Sequence, residues 1–342
     1  MPIVASQELR LQGKQSQLHD LSVIVVSYNT CNVLRRCLHH LRECAEGLSL
    51  EIIVVDNGSR DGSVEMLQEE YPEALVIPSD VNLGFAAANN RALRLARGRY
   101  FVLLNSDAFL RPGALRRAID HMESEPEVGL GGGQLISEEN SWQPSARVFP
   151  SLLNDFLILS GLASRFPHSR FFGRPDRTWA DPMEAAEVDW VPGAFSIIRP
   201  EVLAQTGFFD EAFFLYCEEV DLCRRIKALE YKVRYWPDVV VVHLGGESAK
   251  SVRQAARSRS GSQLMLWSIR SRFLYYRKHH GAAAHLVRIV ELWWHRLRLV
   301  RNCFSRHEER QRKASESRSV IQLLGRAWTE TRGGRISPTR PW

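Results

Sequence analysis

Apolar runs and polar breaks alternate along the first two-thirds of this chain. Leu21-Ser22-Val23-Ile24-Val25-Val26-Ser27-Tyr28 is almost continuously apolar and β-branched, the pattern of a strand buried on both faces. Asn29 and Thr30 can cap the helix predicted over 31–46, where Val33, Leu34, Cys37, Leu38 and Leu41 share one face. Further strands are predicted over 51–56, 74–78 and 99–104, with an Ala-rich helix over 84–97 that ends at Gly98. Residues 140–185 are rich in Pro, Arg and aromatics without a period, and read as a mobile or acceptor-facing loop region. Regular structure resumes with a strand in 188–198, helices over 199–205 and 219–229, and strands over 232–236 and 239–243. Strands alternating with helices of this length imply an α/β fold, a single mostly parallel sheet flanked by helices.

The period changes near the C-terminus. From Leu286, apolar residues recur at Ile289, Val290, Trp293, Leu297, Val300 and Phe304, while Arg288, Glu291, His295, Arg298 and Arg301 fall largely on the other side. This predicts an amphipathic helix with two readings: it lies in a membrane interface beside anionic lipid, or it packs on the body. Residues 305–342 are polar and Arg/Ser-rich and read as a basic disordered tail. The expected organisation is a flexible leader over 1–20, a main domain over 21–250 with halves at 21–110 and 111–250, a helical segment over 251–304, and the tail.

Charge sharpens this division. Residues 250–342 hold 21 Lys/Arg against 5 Asp/Glu, and the rest of the chain 24 against 34, so a net +6 conceals an acidic body and a basic end. That distribution suits an enzymatic core with a segment drawn to an anionic surface. It argues against nucleic acid as partner, since the basic end carries no recognised binding motif. The six cysteines form no CxxC pair and no zinc spacing, which suits reduced thiols in a reducing compartment. The first twenty residues have no apolar h-region, and no apolar run reaches the ~18 residues of a membrane span. The expected location is cytoplasmic, peripheral on the inner face of the cell membrane.

The chemistry concentrates where strands end, the place where open α/β sheets bind ligands. Tyr28-Asn29, Asp56-Asn57 and Asn105-Ser106-Asp107 all fall there. A carboxylate just past a buried strand, such as Asp107, can hold a divalent cation on a diphosphate. The acidic cluster Glu218-Glu219-Val220-Asp221 can take a proton from an attacking hydroxyl. Together they suggest group transfer from a nucleotide-activated donor.

Five stretches, in order over roughly 21–250, carry a resemblance: Ser22 to Asn29; Val55 to Ser59; Asn82 to Asn90; Leu103 to Asp107; and the set Gly193-Ala194-Phe195, Gly207 to Glu211, Glu218 to Arg225 and His243 to Gly246. They resemble family 2 glycosyltransferases of GT-A fold, a Rossmann-like sheet, and in particular the rhamnosyltransferase-like branch. The resemblance implies an inverting transfer of a sugar, best matched by rhamnose, from a dTDP- or UDP-type sugar to a hydroxyl of a saccharide or lipid-linked acceptor, in bacterial surface polysaccharide synthesis. It places Ser27, Tyr28, Asn29, Asp56, Asn82, Gly84 and Asn105 around the nucleotide-sugar. Asp56 would accept the imide N–H of a pyrimidine, and Asn82 and Gly84 would open a helix toward phosphate. Asn105-Ser106-Asp107 resembles the family's DxD site with Asn in first place, which leaves Asp107 as the firm ligand for Mg²⁺ or Mn²⁺. His243 would complete that metal site. Glu219 aligns with the general base; Glu218 or Asp221 are alternatives for that role or for binding acceptor. Trp190, Gly193 and Ala194 would line the sugar and acceptor pocket.

Two other readings compete: a nucleotidyltransferase, and a catalytically degenerate glycosyltransferase-like partner subunit. The first needs a Gly-rich basic loop after the first strand, where Ser27-Tyr28-Asn29-Thr30 stands instead. The second is prompted by Asn105 and Glu219. A dinucleotide enzyme is disfavoured, since no GxGxxG follows a strand.

Overall fold

The computed structural model describes residues 19–45, 47–245 and 260–338. The expected leader lies outside these residues except for its last two, and so does 251–259.

The first half is built on four parallel strands: β1 (Leu21–Ser27), β2 (Leu50–Asp56), β3 (Leu75–Pro78) and β4 (Tyr100–Asn105), in spatial order β3-β2-β1-β4. The β-branched run of β1 is explained by its surroundings. Val23 and Val25 face one core with Leu34, Leu38 and Leu41 of helix α1 (Cys31–Glu43), whereas Ile24 faces a second core with Ile53, Val55, Ala86 and Ala88. Helices α2 (Ser63–Glu70) and α3 (Phe85–Leu93) complete the crossovers. Helix α3 stops at Leu93, short of the predicted 97. Gly98 does not close it: a Cβ there would lie 2.2 Å from Ser22 N, so this glycine lets the chain pass close under β1.

The second half is mixed rather than parallel. After β5 (Ala108–Leu110) come α4 (Ala114–Ser124), β6 (Val128–Ile136), β7 (Trp142–Gln143), α5 (Leu152–Leu159), α6 (Leu162–Arg165), β8 (Ala186–Val188), β9 (Phe195–Ile198), α7 (Pro200–Thr206), α8 (Glu218–Ala228) and β10 (Lys232–His243). Strand β9 runs antiparallel between β4 and β6, and β5 and β8 pair antiparallel with β10. The pair of strands predicted in 232–243 is one strand with a register irregularity between Trp236 and Val240. The aperiodic 140–185 region contains α5 and α6.

Three helices follow: α9 (Ser260–His280), α10 (Ala283–Cys303) and α11 (Glu308–Glu330). Helix α11 corrects the expectation of disorder beyond 305. Its buried positions Ala314, Ser317, Leu324 and Ala327 recur at helical spacing, and Val320, Leu323 and Trp328 pack beside them. The abundant Arg and Ser obscured this stripe. These helices form a third core with Phe213 and Val220, so the C-terminal region closes over the acidic cluster. No helix among the described residues is long and apolar enough to cross a membrane.

Candidate active site

Three strands end side by side. Ser27 is in register with Asp56, and Val26 with Asn105. Their polar termini therefore emerge together where the strand order departs from β1 in both directions, the crevice that binds ligands in such sheets. Hydroxyls tie this edge together: Ser27 Oγ lies 3.0 Å from Thr30 Oγ1, which donates to Ser106 Oγ at 3.2 Å. Tyr28 and Asn29 continue from β1. Asn29 has a left-handed backbone (φ 50°); its N–H donates to Ser59 Oγ and its Oδ1 accepts from Arg60 N. Asp56 is only 1% exposed. Its Oδ1 accepts from the N–H groups of Gly58 and Ser59, while Oδ2 is buried with no hydrogen-bond partner among the described residues. A buried acceptor left unpaired costs about 1–3 kcal/mol, and a ligand N–H would remove that cost.

Asn82 and Gly84 make a joint rather than a phosphate cradle. Asn82 Oδ1 accepts from Gly84 N, and Phe85 N donates to Phe214 O at 2.8 Å, so two N–H groups that an anion would use are committed. Gly84 has φ +82°, and a Cβ there would meet Phe214 O at 2.3 Å. The glycine thus lets the donor half touch the loop that carries the acidic cluster.

Asp107 and His243 meet across the β5–β10 pairing, in which His243 stands opposite Ala108. His243 Nε2 is 3.4 Å from Asp107 Oδ1. Gln143 Nε2 donates to His243 O, which leaves Gln143 Oε1 facing Nδ1 at 3.2 Å as acceptor. Nε2 and the Asp107 carboxylate thus face one another across a gap that a cation could bridge. A carboxylate oxygen and an imidazole nitrogen are the ligand types of Mg²⁺ or Mn²⁺ sites. Among the described residues no group of three or more His, Cys, Asp or Glu gathers around one point. The protein side of such a site is two residues, and a diphosphate has oxygens for the rest.

Asn105 N donates to Ala194 O at 3.0 Å, and a Cβ on Gly193 would lie 3.3 Å from the Phe85 ring. Ala194 is buried, so Gly193 and Ala194 join the β4 edge to the start of α3. Trp190 is held from both sides: its Nε1 donates to Val148 O, and the Arg147 guanidinium lies 5.1 Å from its ring centroid.

The acidic cluster opens α8. Tyr216 (φ 71°) and Cys217 (φ 67°) are consecutive left-handed residues without glycine, each costing about 1–3 kcal/mol unless its surroundings enforce it. Enforcement comes from α9: Ser271 Oγ donates to Leu215 O at 2.7 Å, and Trp267 stacks on Phe214 at 4.4 Å. Glu218 is buried and Glu219 half-buried, and the Oε2 of each has no hydrogen-bond partner among the described residues. Burial pushes both carboxyls above the usual range, and the Glu219 charge raises Glu218 further. Backbone N–H bonds and Arg147 pull Glu219 the other way. Of the pair, Glu218 is raised the more, so Glu219 is the readier to ionise.

Asp221 differs, and this corrects its place among the base candidates. It is fully buried, and its oxygens meet Arg225 Nε at 2.9 Å, Lys278 Nζ at 2.7 Å and His279 Nε2 at 2.7 Å. Burial opposes its charge, but hydrogen bonds from His279 and Lys278 and the Arg225 charge outweigh this and bring it down to about 2. Asp221 fastens α9 to the body. Sequence reasoning named Thr30 only as a cap and Ser106 only within its motif, and missed Arg147, Lys278 and His279; of these Arg147 left a signal, as a cation in an aromatic-rich segment.

Comparison with known proteins agrees with this architecture. Residues 22–178 match the model of Glycosyl transferase family 2. The N-acetylglucosaminyl-diphospho-decaprenol L-rhamnosyltransferase of Mycobacterium tuberculosis is 29% identical over 236 residues, 65% of this chain and 75% of that one. Rhamnosyltransferase WbbL of Escherichia coli strain K12 is 25% identical over 265 residues, 74% of this chain and 91% of that one. In fold, the chain is similar to a solved structure of GalNAc-T7 with UDP, GalNAc and Mn²⁺, with TM-score 0.51 and 15% identity over 79% of this chain and 51% of that chain. Residues 22–178 carry a family 2 glycosyltransferase domain within a GT-A-type fold, the chain is similar to rhamnosyltransferases, and it is a glycosyltransferase.

Proposed function

We propose that the protein moves rhamnose, with inversion, from a pyrimidine nucleoside-diphosphate sugar of dTDP or UDP type to a hydroxyl of a lipid-linked saccharide, in assembly of a bacterial surface polysaccharide at the inner membrane face. The observation that carries this reading is the Glu218–Glu219 pair, one buried and one half-buried carboxyl with unpartnered oxygens, on a loop whose Phe214 touches Gly84 and Phe85. Glu219, the more accessible and more readily ionised, takes the proton from the acceptor hydroxyl. The freed oxygen attacks the anomeric carbon from the face opposite the departing diphosphate, and no covalent enzyme intermediate is needed. Asp56 Oδ2 receives the imide N–H of the base, which selects a pyrimidine; Ser27, Tyr28, Asn29 and Asn105 border the rest of the donor. Asp107 and His243 would hold a divalent cation that neutralises charge on the diphosphate. Trp190, Gly193 and Ala194 border the sugar and acceptor side. The rhamnose and the lipid-linked acceptor rest on the names of the two relatives.

Thermal-shift binding of UDP, dTDP, GDP, ADP and CDP, with and without Mn²⁺ or Mg²⁺, tests the donor half. The expected result is a metal-dependent rise in Tm with dTDP or UDP alone. A shift with GDP or ADP of equal size would remove the Asp56 assignment, and no shift with any nucleotide would favour a degenerate partner subunit. The anomeric configuration of the product, read by NMR, tests inversion.

A further inference from the structure

Helix α10 is packed inside out. The seven-residue apolar stripe read from the sequence faces away from the body: Leu286, Ile289 and Val300 are exposed, Trp293 and Leu297 are 60% and 62% exposed, and Phe304 is 90% exposed. The polar side is turned inward. Glu291 pairs with Arg272, His295 lies against Ser317 at 3.5 Å, Arg298 reaches Glu316 at 2.9 Å, and Asn302 is buried. A helix that served only to pack would bury the opposite face. The exposed stripe continues onto α5, where Leu152 and Phe156 are also exposed, and Phe156 meets Trp294 edge-on at 6.4 Å. One apolar face on two adjoining helices exceeds the scattered exposure normal for a protein surface.

The charges around this face choose its occupant. Arg296 and Arg301 are exposed on its two flanks and Arg306 lies just beyond its end, while the single carboxylate of α10, Glu291, is buried on Arg272. A second copy applied through a two-fold axis would bring like charges together, with no acidic group on α10's outer face to meet them. An anionic bilayer surface offers both halves of the complement: acyl chains for the stripe, with Trp293 at the interface, and phosphates for the arginines. We infer that the exposed faces of α10 and α5 dock in plane on an anionic membrane. This rests on the lipid-linked acceptor proposed above and names the surface that would bring the enzyme to it. The dock is coupled to the catalytic loop through the Arg272–Glu291 pair, since Arg272 belongs to α9, whose Ser271 holds Leu215.

The test is co-sedimentation of the full chain with vesicles of phosphatidylcholine alone and of phosphatidylcholine mixed with phosphatidylglycerol. The intact protein should pellet with the mixed vesicles about tenfold more than with the neutral ones, a preference that high salt removes. The double variant Trp293→Glu/Leu297→Glu should lose about tenfold of that pelleting, with circular dichroism and the nucleotide thermal shift unchanged, because both side chains point outward. Arg296→Glu/Arg301→Glu should abolish the preference for anionic vesicles. If the intact protein stays in the supernatant with both vesicle types, the inference is overturned. It is equally overturned if light scattering finds a dimer that Trp293→Glu/Leu297→Glu converts to monomer, since a second copy then covers the face. If vesicles bind and no nucleotide does, the docking stands and the donor reading falls.

Discussion

Glu219 and Asp221 sit two residues apart on the first turn of one helix, and their surroundings drive them in opposite directions. Glu219 has an unpartnered oxygen and a raised pKa; Asp221 meets Arg225, Lys278 and His279 and is held near 2. Residue type and position in the motif are nearly the same, so neither assigns the role. What differs is which element packs against each side chain. A carboxyl left short of partners is pushed up by burial, and one that fastens two parts of the molecule is saturated with partners and pulled down.

The contrast can be broken in graded ways. The largest effect is expected from Glu219→Gln: kcat should fall by roughly 10²–10⁴ while the nucleotide thermal shift persists. Transfer at the wild-type rate would return the base role to Glu218. Asp221→Ala should act mainly on the fold. It takes away the buried acceptor shared by Arg225, Lys278 and His279, with Lys278 keeping Asp210, and should cost about 3 kcal/mol in denaturant unfolding, with activity lost through the displaced loop. Gly84→Ala should cost about 1–3 kcal/mol, since it strains a left-handed residue and drives a Cβ into Phe214 O. A thermal melt unchanged from wild type would show that the joint yields.

The pH response separates the two carboxylates further. A base with a raised pKa must lose its proton to work, so the acid limb of kcat/KM should lie above the ordinary carboxylate range. Asp221 behaves oppositely: its depressed pKa contributes stability that is present above about 3.8 and lost as pH falls toward about 2. On acidification activity should disappear first, while far-UV circular dichroism and the near-UV signal of the α9 aromatics hold to lower pH. The smallest effect is expected from Glu218→Gln. A carboxyl with a raised folded pKa costs stability wherever the unfolded chain ionises it, so this variant should melt slightly higher at pH 7.

Much of the donor half was legible because its strands are buried on both faces, which writes β-branched runs into the sequence and puts polar residues at their ends. The acidic cluster was legible as a cluster. Its division of labour was not, because two of the three partners of Asp221 lie 57 and 58 residues away on a helix whose own pattern says nothing of where it docks. Periodicity gave α10 as a helix but not which face is buried; Arg272, Ser317 and Glu316, which take its polar side, are on other helices. Helix α11 was hidden because composition, dominated by Arg and Ser, was weighed above the spacing of Ala314, Ser317, Leu324 and Ala327. Gly84 was read as a phosphate turn because nothing local announces that Phe214 lies against it.

The α9 clamp also sets an order of events during synthesis. The sheet is complete by His243, but Tyr216 and Cys217 hold their left-handed backbone against Ser271 and Trp267, and Asp221 waits for Lys278 and His279. Contacts that span this much sequence close late. A nascent chain that has released its whole sheet therefore still lacks the contacts that set the acidic loop, which form only when the helix beyond residue 260 has emerged and closed over it.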